Sequence, residues 1–160
     1  MIKKEFFLVL HDIRSAYNVG AIFRTADGAG VNKIYLSGYT CTPSENKINI
    51  NKAEKMIAKT ALGAEKAVAW EKVDDLLALA DKLKKEGIKI ISLEETKESI
   101  DLKEFKPDFP AALFLGNEIR GVSDDILKIS DTTVSIPMRG KKESLNVSVA
   151  AGIAIYEILK

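Results

Sequence analysis

Ala111-Ala-Leu-Phe-Leu-Gly-Asn-Glu-Ile-Arg-Gly121 is the stretch on which the fold turns. Its first five residues are apolar without alternation, which is the pattern of a central parallel strand covered on both faces. Gly116 ends the run, and polar Asn117 and Glu118 follow at once. The carboxyl end of a parallel strand is where α/β proteins place ligands. Read without a ligand, the same residues are an ordinary turn carrying a solvated acid.

Working outward, Phe6 to Leu10 reads as a buried first strand. Ser15 to Asn18 reads as a loop feeding a helix from about Val19 to Ala29, closed by Gly28 and Gly30. Lys33 to Ser37 is a second strand, and residues 38–50 form a long loop. Ala53, Met56, Ile57, Thr60 and Ala61 recur at helical spacing. Ala67 to Trp70 reads as a short strand. Val73, Leu76, Leu77, Ala80 and Leu83 make a helical stripe stopped by Gly87. Lys89 to Leu93 is a strand, and Glu94 to Pro110 is irregular. Ser123 to Ile129 is a short helix, and Thr133 to Ile136 a last strand. Leu145 to Leu159 is a final helix, apolar nearly all round and so covered on several sides. Strands alternating with helices predict one α/β domain over 1–160, with a mostly parallel sheet and helices on both faces.

The chain has 160 residues, enough to bury a core without staples. The lone Cys41 offers no internal disulfide, and a reducing, cytoplasmic setting fits. The apolar run after Met1 is too short for a signal peptide, and none approaches the ~20 residues of a membrane span. Net charge is +1, so bulk charge does not grip nucleic acid. Any RNA binding then rests on a local patch, a dimer surface or a small structured substrate. Of 24 basic residues only Arg14, Arg24, Arg120 and Arg139 are arginines, all near Gly-containing turns. Arginine suits planar, bidentate phosphate recognition.

Several chemistries fail. Gly28-Ala29-Gly30 lacks the third Gly of a dinucleotide fingerprint, because Lys33 stands there, and it ends a helix rather than opening one. There is no Walker A sequence. One His and one Cys build no zinc site, and no metal is expected. His11 reads as a packed or edge histidine, and no Ser-His-acid set is evident.

Two further segments matter. In Asn18-Val-Gly-Ala-Ile-Phe-Arg-Thr-Ala26, Ile22, Ala26 and Ala29 form the apolar stripe and Arg24 points away. Arg24 is either a solvated helix residue or a phosphate ligand near the helix start, where free N–H groups also favour anions. Gly20 could simply allow close packing. In Ile136-Pro-Met-Arg-Gly-Lys-Lys-Glu-Ser-Leu-Asn-Val-Ser-Val-Ala150, Pro137 and Gly140 shape a loop and Ser144 is a plausible N-cap. Asn146 and Ser148 need partners if buried.

Each segment alone is common. In this order and spacing they resemble the three motifs of the SpoU/TrmH family within the SPOUT class, from Asn18 to Ala150. The resemblance implies RNA 2′-O-ribose methylation, S-adenosylmethionine as cofactor, a homodimer and a C-terminal trefoil knot, against the usual rule on threading. It implies Arg24, Asn18, Glu118, Ser144 and Asn146 as catalytic residues. It implies cofactor contacts around Leu93, Gly116, Ile136, Ser144 and Leu145. RNA would meet Arg14, Arg24, Arg139, Lys141 and Lys142, lining one groove. No RNA-binding extension is evident, which favours transfer RNA over ribosomal RNA. Two rival readings are a non-catalytic RNA-binding module with this fold and an unrelated doubly wound ligand-binding domain.

Overall fold

The computed structural model describes residues 4–46 and 48–160; the first three residues of the sequence, and position 47 of the long loop, lie outside the described residues. The chain runs β1 (Phe6–His11), α1 (Ala16–Ala29), β2 (Lys33–Ser37), α2 (Lys52–Ala61), α3 (Ala64–Ala67), β3 (Ala69–Val73), α4 (Leu76–Lys85), β4 (Lys89–Leu93), β5 (Ile100–Asp101), β6 (Ala111–Leu115), α5 (Asp124–Ile129), β7 (Thr132–Ser135) and α6 (Val147–Leu159). The strands form one sheet in the order β3-β2-β1-β6-β4-β7-β5, and every pairing is parallel.

All five residues of β6 are buried. Alternate side chains leave a strand on opposite faces, and the core divides accordingly. Leu113 and Leu115 join Phe6, Leu8, Leu10, Ile22, Phe23, Ile57 and Ile155 under α1, α2 and α6. Ala112 and Phe114 join Val9, Ile90, Leu79, Leu83 and Ile126 under α4 and α5. The continuous apolar reading of β6 thus follows from helices on both faces.

Local chemistry moves several boundaries. Helix α1 begins at Ala16, three residues before the expected start, because Ser15 caps it by accepting from the Asn18 N–H. Asn18 therefore sits in the first helical turn and not in a loop. Residues 64–67 form a helical turn, so the neighbouring strand is 69–73 rather than 67–70, and Val73 belongs to it. Leu77 faces solvent, and Leu79 replaces it in the buried stripe of α4. The segment expected to be irregular contains β5, a two-residue edge strand too short to show periodicity. Strand β7 stops at Ser135, leaving Ile136 in the following loop, and α6 begins at Val147. The cap of α6 is Asn146, not Ser144.

The sheet reverses its winding between β1 and β6. The helix after β1 packs on one face, and the helix after β6 packs on the other. Loops leaving such a point diverge and open a crevice at the strand ends.

Candidate active site

Beside this point, over the carboxyl ends of β6, β4 and β7, three strand-end segments meet: 93–95 after β4, 115–121 after β6, and 135–147 after β7. Together they line a cavity of about 300 Å³. Leu93, Gly116, Ile136, Ser144 and Leu145, the five positions expected around a cofactor, all line it. Met138 and Leu115 add apolar wall, while Glu94, Asn117 and Glu143 add polar groups.

Gly116 is required by close approach. A Cβ there would stand 2.2 Å from the Gly121 carbonyl oxygen and 2.4 Å from the Val122 nitrogen. Asn117 shapes this turn: its Oδ1 accepts from the N–H groups of Ile119 and Arg120 at 3.0 and 2.9 Å. Its Nδ2 donates to the Asp12 carbonyl at 2.9 Å, tying the β6 loop to the end of β1. Glu94 secures the other side, its Oε2 accepting from the Val122 N–H at 2.9 Å. Neither Asn117 nor Glu94 stood among the expected site residues. The position of Asn117 inside the Gly-Asn-Glu run was the available signal, whereas Glu94 had none.

Glu118 spans from the β6 loop to the start of α1. Its carboxylate accepts from the Arg14 N–H at 3.1 and 3.0 Å and the Ser15 N–H at 3.2 Å, with the Asn18 amide 3.5 Å away. Partial burial raises the Glu118 pKa, but the N–H donors of Arg14, of its own backbone and of Ser15, with the Asn18 amide, outweigh it. The carboxyl is held below its ordinary range. Glu118 thus anchors a loop and a helix N-terminus, and no bond joins it to Arg24 among the described residues.

Asn146 completes the cluster. Its Oδ1 accepts from the Ser148 and Val149 N–H groups, at 2.9 and 3.4 Å, and from the Ser148 hydroxyl. Its Nδ2 donates to Asn18 Oδ1 at 3.2 Å. Asn18, Glu118 and Asn146 are therefore brought together. Ser144 lines the cavity without capping the helix.

Arg24 is the exception. It is exposed, as its position off the apolar stripe predicts, but it does not line this cavity. As the ninth residue of α1 it lies about 12 Å along the axis from the helix start. Two N–H groups of that end, those of Ser15 and Asn18, are already met by Glu118 and by Ser15. A phosphate ligand at the helix start is thus not the arrangement of Arg24. Arg14, Arg139, Lys141 and Lys142 are exposed in segments at the cavity end of the sheet. Arg120, left unassigned by sequence, lines the cavity itself. His11 is packed between neighbours, its Nδ1 2.8 Å from the Ser37 hydroxyl and its Nε2 3.3 Å from Asp12.

No group of three His, Cys, Asp or Glu side chains that could hold a metal ion exists among the described residues. No helix there is long and apolar enough to cross a membrane.

A fully parallel α/β sheet with a glycine-floored cavity at the carboxyl ends of its strands defines a ligand-binding domain of the doubly wound class. Comparison with known proteins is more specific: the chain belongs to the SpoU rRNA Methylase family, whose model matches residues 5–156. A tRNA (guanosine(18)-2′-O)-methyltransferase from Aquifex aeolicus is 36% identical over 97% of this chain and 69% of its own length. A crystal structure of the A. aeolicus TrmH/SpoU tRNA modifying enzyme aligns with a TM-score of 0.82 at 34% identity, covering 98% of this chain and 75% of that one. The 23S rRNA (guanosine-2′-O-)-methyltransferase RlmB of Ralstonia nicotianae is 34% identical over 96% of this chain, which spans 57% of that protein. A structure described as giving insights into the 2-OH methylation of C/U34 on tRNA aligns with a TM-score of 0.77 at 26% identity. That alignment covers 96% of this chain and 93% of the other.

Proposed function

We propose that residues 1–160 act as one S-adenosylmethionine-dependent domain that methylates a ribose 2′-hydroxyl of transfer RNA. The observation that carries the reading is the meeting of Leu93, Gly116, Ile136, Ser144 and Leu145 at one cavity. The cavity suits the cofactor chemically. Leu93, Leu115, Ile136, Met138 and Leu145 offer an apolar slot for a purine ring, and Gly116 leaves room at the backbone. The cofactor supplies an activated methyl on a sulfonium, so the reaction requires no metal.

The chain must align the hydroxyl and manage its proton. Arginine resists deprotonation, so Arg24 serves better as phosphate clamp and stabiliser of developing oxyanion charge than as base, with the hydroxyl proton passing to a phosphate or water. Asn18, Glu118 and Asn146 hold the surrounding backbone in register.

Arg24 reaches a cavity through dimerisation. The exposed face of α6 carries Val149, Ile153 and Tyr156, at helical spacing. The Tyr156 hydroxyl lies only 3.2 Å from where a Cβ on Gly28 would sit, so this apolar face adjoins the exposed side of α1 that bears Arg24. A two-fold interface there buries the stripe and carries the Arg24 of one protomer toward the cavity of its partner. A trefoil knot at the C-terminal side fits the convergence of the loops after β4, β6 and β7 on one another.

Transfer RNA is favoured over ribosomal RNA on three grounds. The first is the Aquifex relative, and the second is the tRNA-methylation structure that matches nearly end to end. The third is the near-neutral charge, which suits a compact RNA. Such a substrate places the enzyme in the cytoplasm. Titration calorimetry tests the reading: S-adenosylhomocysteine should bind one site per chain, and Gly116→Ala should abolish binding. Absence of binding at millimolar ligand would leave only a non-catalytic module with this fold.

A further inference from the structure

Tyr39 stands at the rim of the crevice with about half of its surface exposed, yet it is held firmly. Its backbone N–H donates to Asp12 Oδ1 at 3.0 Å. Gly38 before it has φ 62°, and a Cβ there would fall 1.8 Å from the same carboxylate oxygen. Asp12 itself takes a left-handed conformation, φ 52°, which costs energy for a residue with a Cβ. The Tyr39 hydroxyl accepts from Asn117 Nδ2 at 2.7 Å, and the Arg120 guanidinium approaches it at 3.5 Å. Asn117 and Arg120 both line the cavity.

The ends of β1, β2 and β6 are thus interlocked to present a half-exposed tyrosine whose hydroxyl is tied down. A guanidinium lies beside it. An open aromatic ring stacks on any unpaired base, and a neighbouring arginine meets the phosphate that base carries. We infer that Tyr39 and Arg120 form a subsite for an unpaired nucleobase and its phosphate, next to the nucleotide that is methylated. This subsite rests on the RNA substrate proposed above. Tyr39 binds through its ring, and Asn117 positions it.

The test is fluorescence anisotropy with two labelled RNAs, a stem-loop with unpaired loop nucleotides and a duplex of equal length. Tyr39→Ala should weaken stem-loop binding roughly 5- to 150-fold, the span of base–aromatic stacking. Duplex binding and S-adenosylhomocysteine affinity should stay unchanged. Tyr39→Phe, which keeps the ring, should bind the stem-loop within about twofold of wild type. Arg120→Ala should reduce the salt slope by about one. Equal losses in the Ala and Phe variants would make Tyr39 a structural residue and overturn the subsite. A Tyr39→Ala variant that binds like wild type would overturn the subsite alone, whereas wild-type protein that binds neither RNA would overturn the substrate reading with it.

Discussion

The side-chain amide of Asn146 donates to the side-chain oxygen of Asn18 across 3.2 Å, joining the cap of the last helix to the first turn of α1. The two residues are 128 positions apart. One face of this link meets the cavity loop that carries Ser144 and Leu145, and the other meets the residues held by Glu118.

Asn146→Ala removes both the cap of α6 and this link. Loss of an N-cap costs about 1 kcal/mol, so a modest drop in Tm is expected. Methyl transfer should fall much further, because the first turn of α1 and the cavity loop lose their shared register. Thermal unfolding and a turnover assay on one preparation check this; an intact rate would reduce Asn146 to a cap.

Glu118→Gln tests the anchor of α1. The folded carboxyl titrates below its ordinary value of 4.5. Its contribution to stability is therefore complete above that value and is lost as pH falls through the lower, folded pKa. The Gln variant should be less stable at neutral pH, by about 0.5–2 kcal/mol as for other capping groups, and should lose less on acidification. Urea unfolding at neutral and acid pH measures both. Identical pH profiles for the two proteins would remove the carboxylate from the account.

Gly20→Ala should destabilise the fold by about 1–3 kcal/mol, as overpacking does. The added Cβ would lie 2.1 Å from the Thr60 hydroxyl and 2.3 Å from the Ile57 carbonyl oxygen, where α1 crosses α2. Because Ile57 presents backbone, Thr60→Ala should not rescue it. Recovery in the double variant, followed by denaturant midpoint, would place the clash on Thr60 alone.

Arg24→Ala should leave stability within roughly 0.5 kcal/mol, as at other surface positions, while turnover falls by orders of magnitude and cofactor affinity holds. Mixed dimers test where Arg24 acts. Combined with the cavity-blocked Gly116→Ala chain, Arg24→Ala protomers should regain activity, since one of the two composite sites is then intact. An inactive mixture of assembled dimers would confine each site to one chain.

Most of the sheet was legible because its strands announce themselves locally. The unbroken apolar runs of β1 and β6 need both faces covered, and β2 ends cleanly at Gly38. What was not legible depended on partners distant in sequence. Asn18 joins a helix through Ser15, β5 exists only as an edge on β7, and Asn146 displaces Ser144 as cap. The cavity positions are implied by the resemblance to the family motifs; local pattern alone marks only Gly116, which follows a strand end. Glu94 and Tyr39 acquire their roles only when three strand ends meet.

The central claim is methyl transfer to a ribose of transfer RNA. Its most direct test is incubation with S-adenosylmethionine labelled in the methyl group and with separated transfer and ribosomal RNA pools, followed by digestion to nucleosides. The expected result is label in transfer RNA alone, recovered as a 2′-O-methylated nucleoside. Label only in ribosomal RNA, or on a base rather than a ribose, would contradict it.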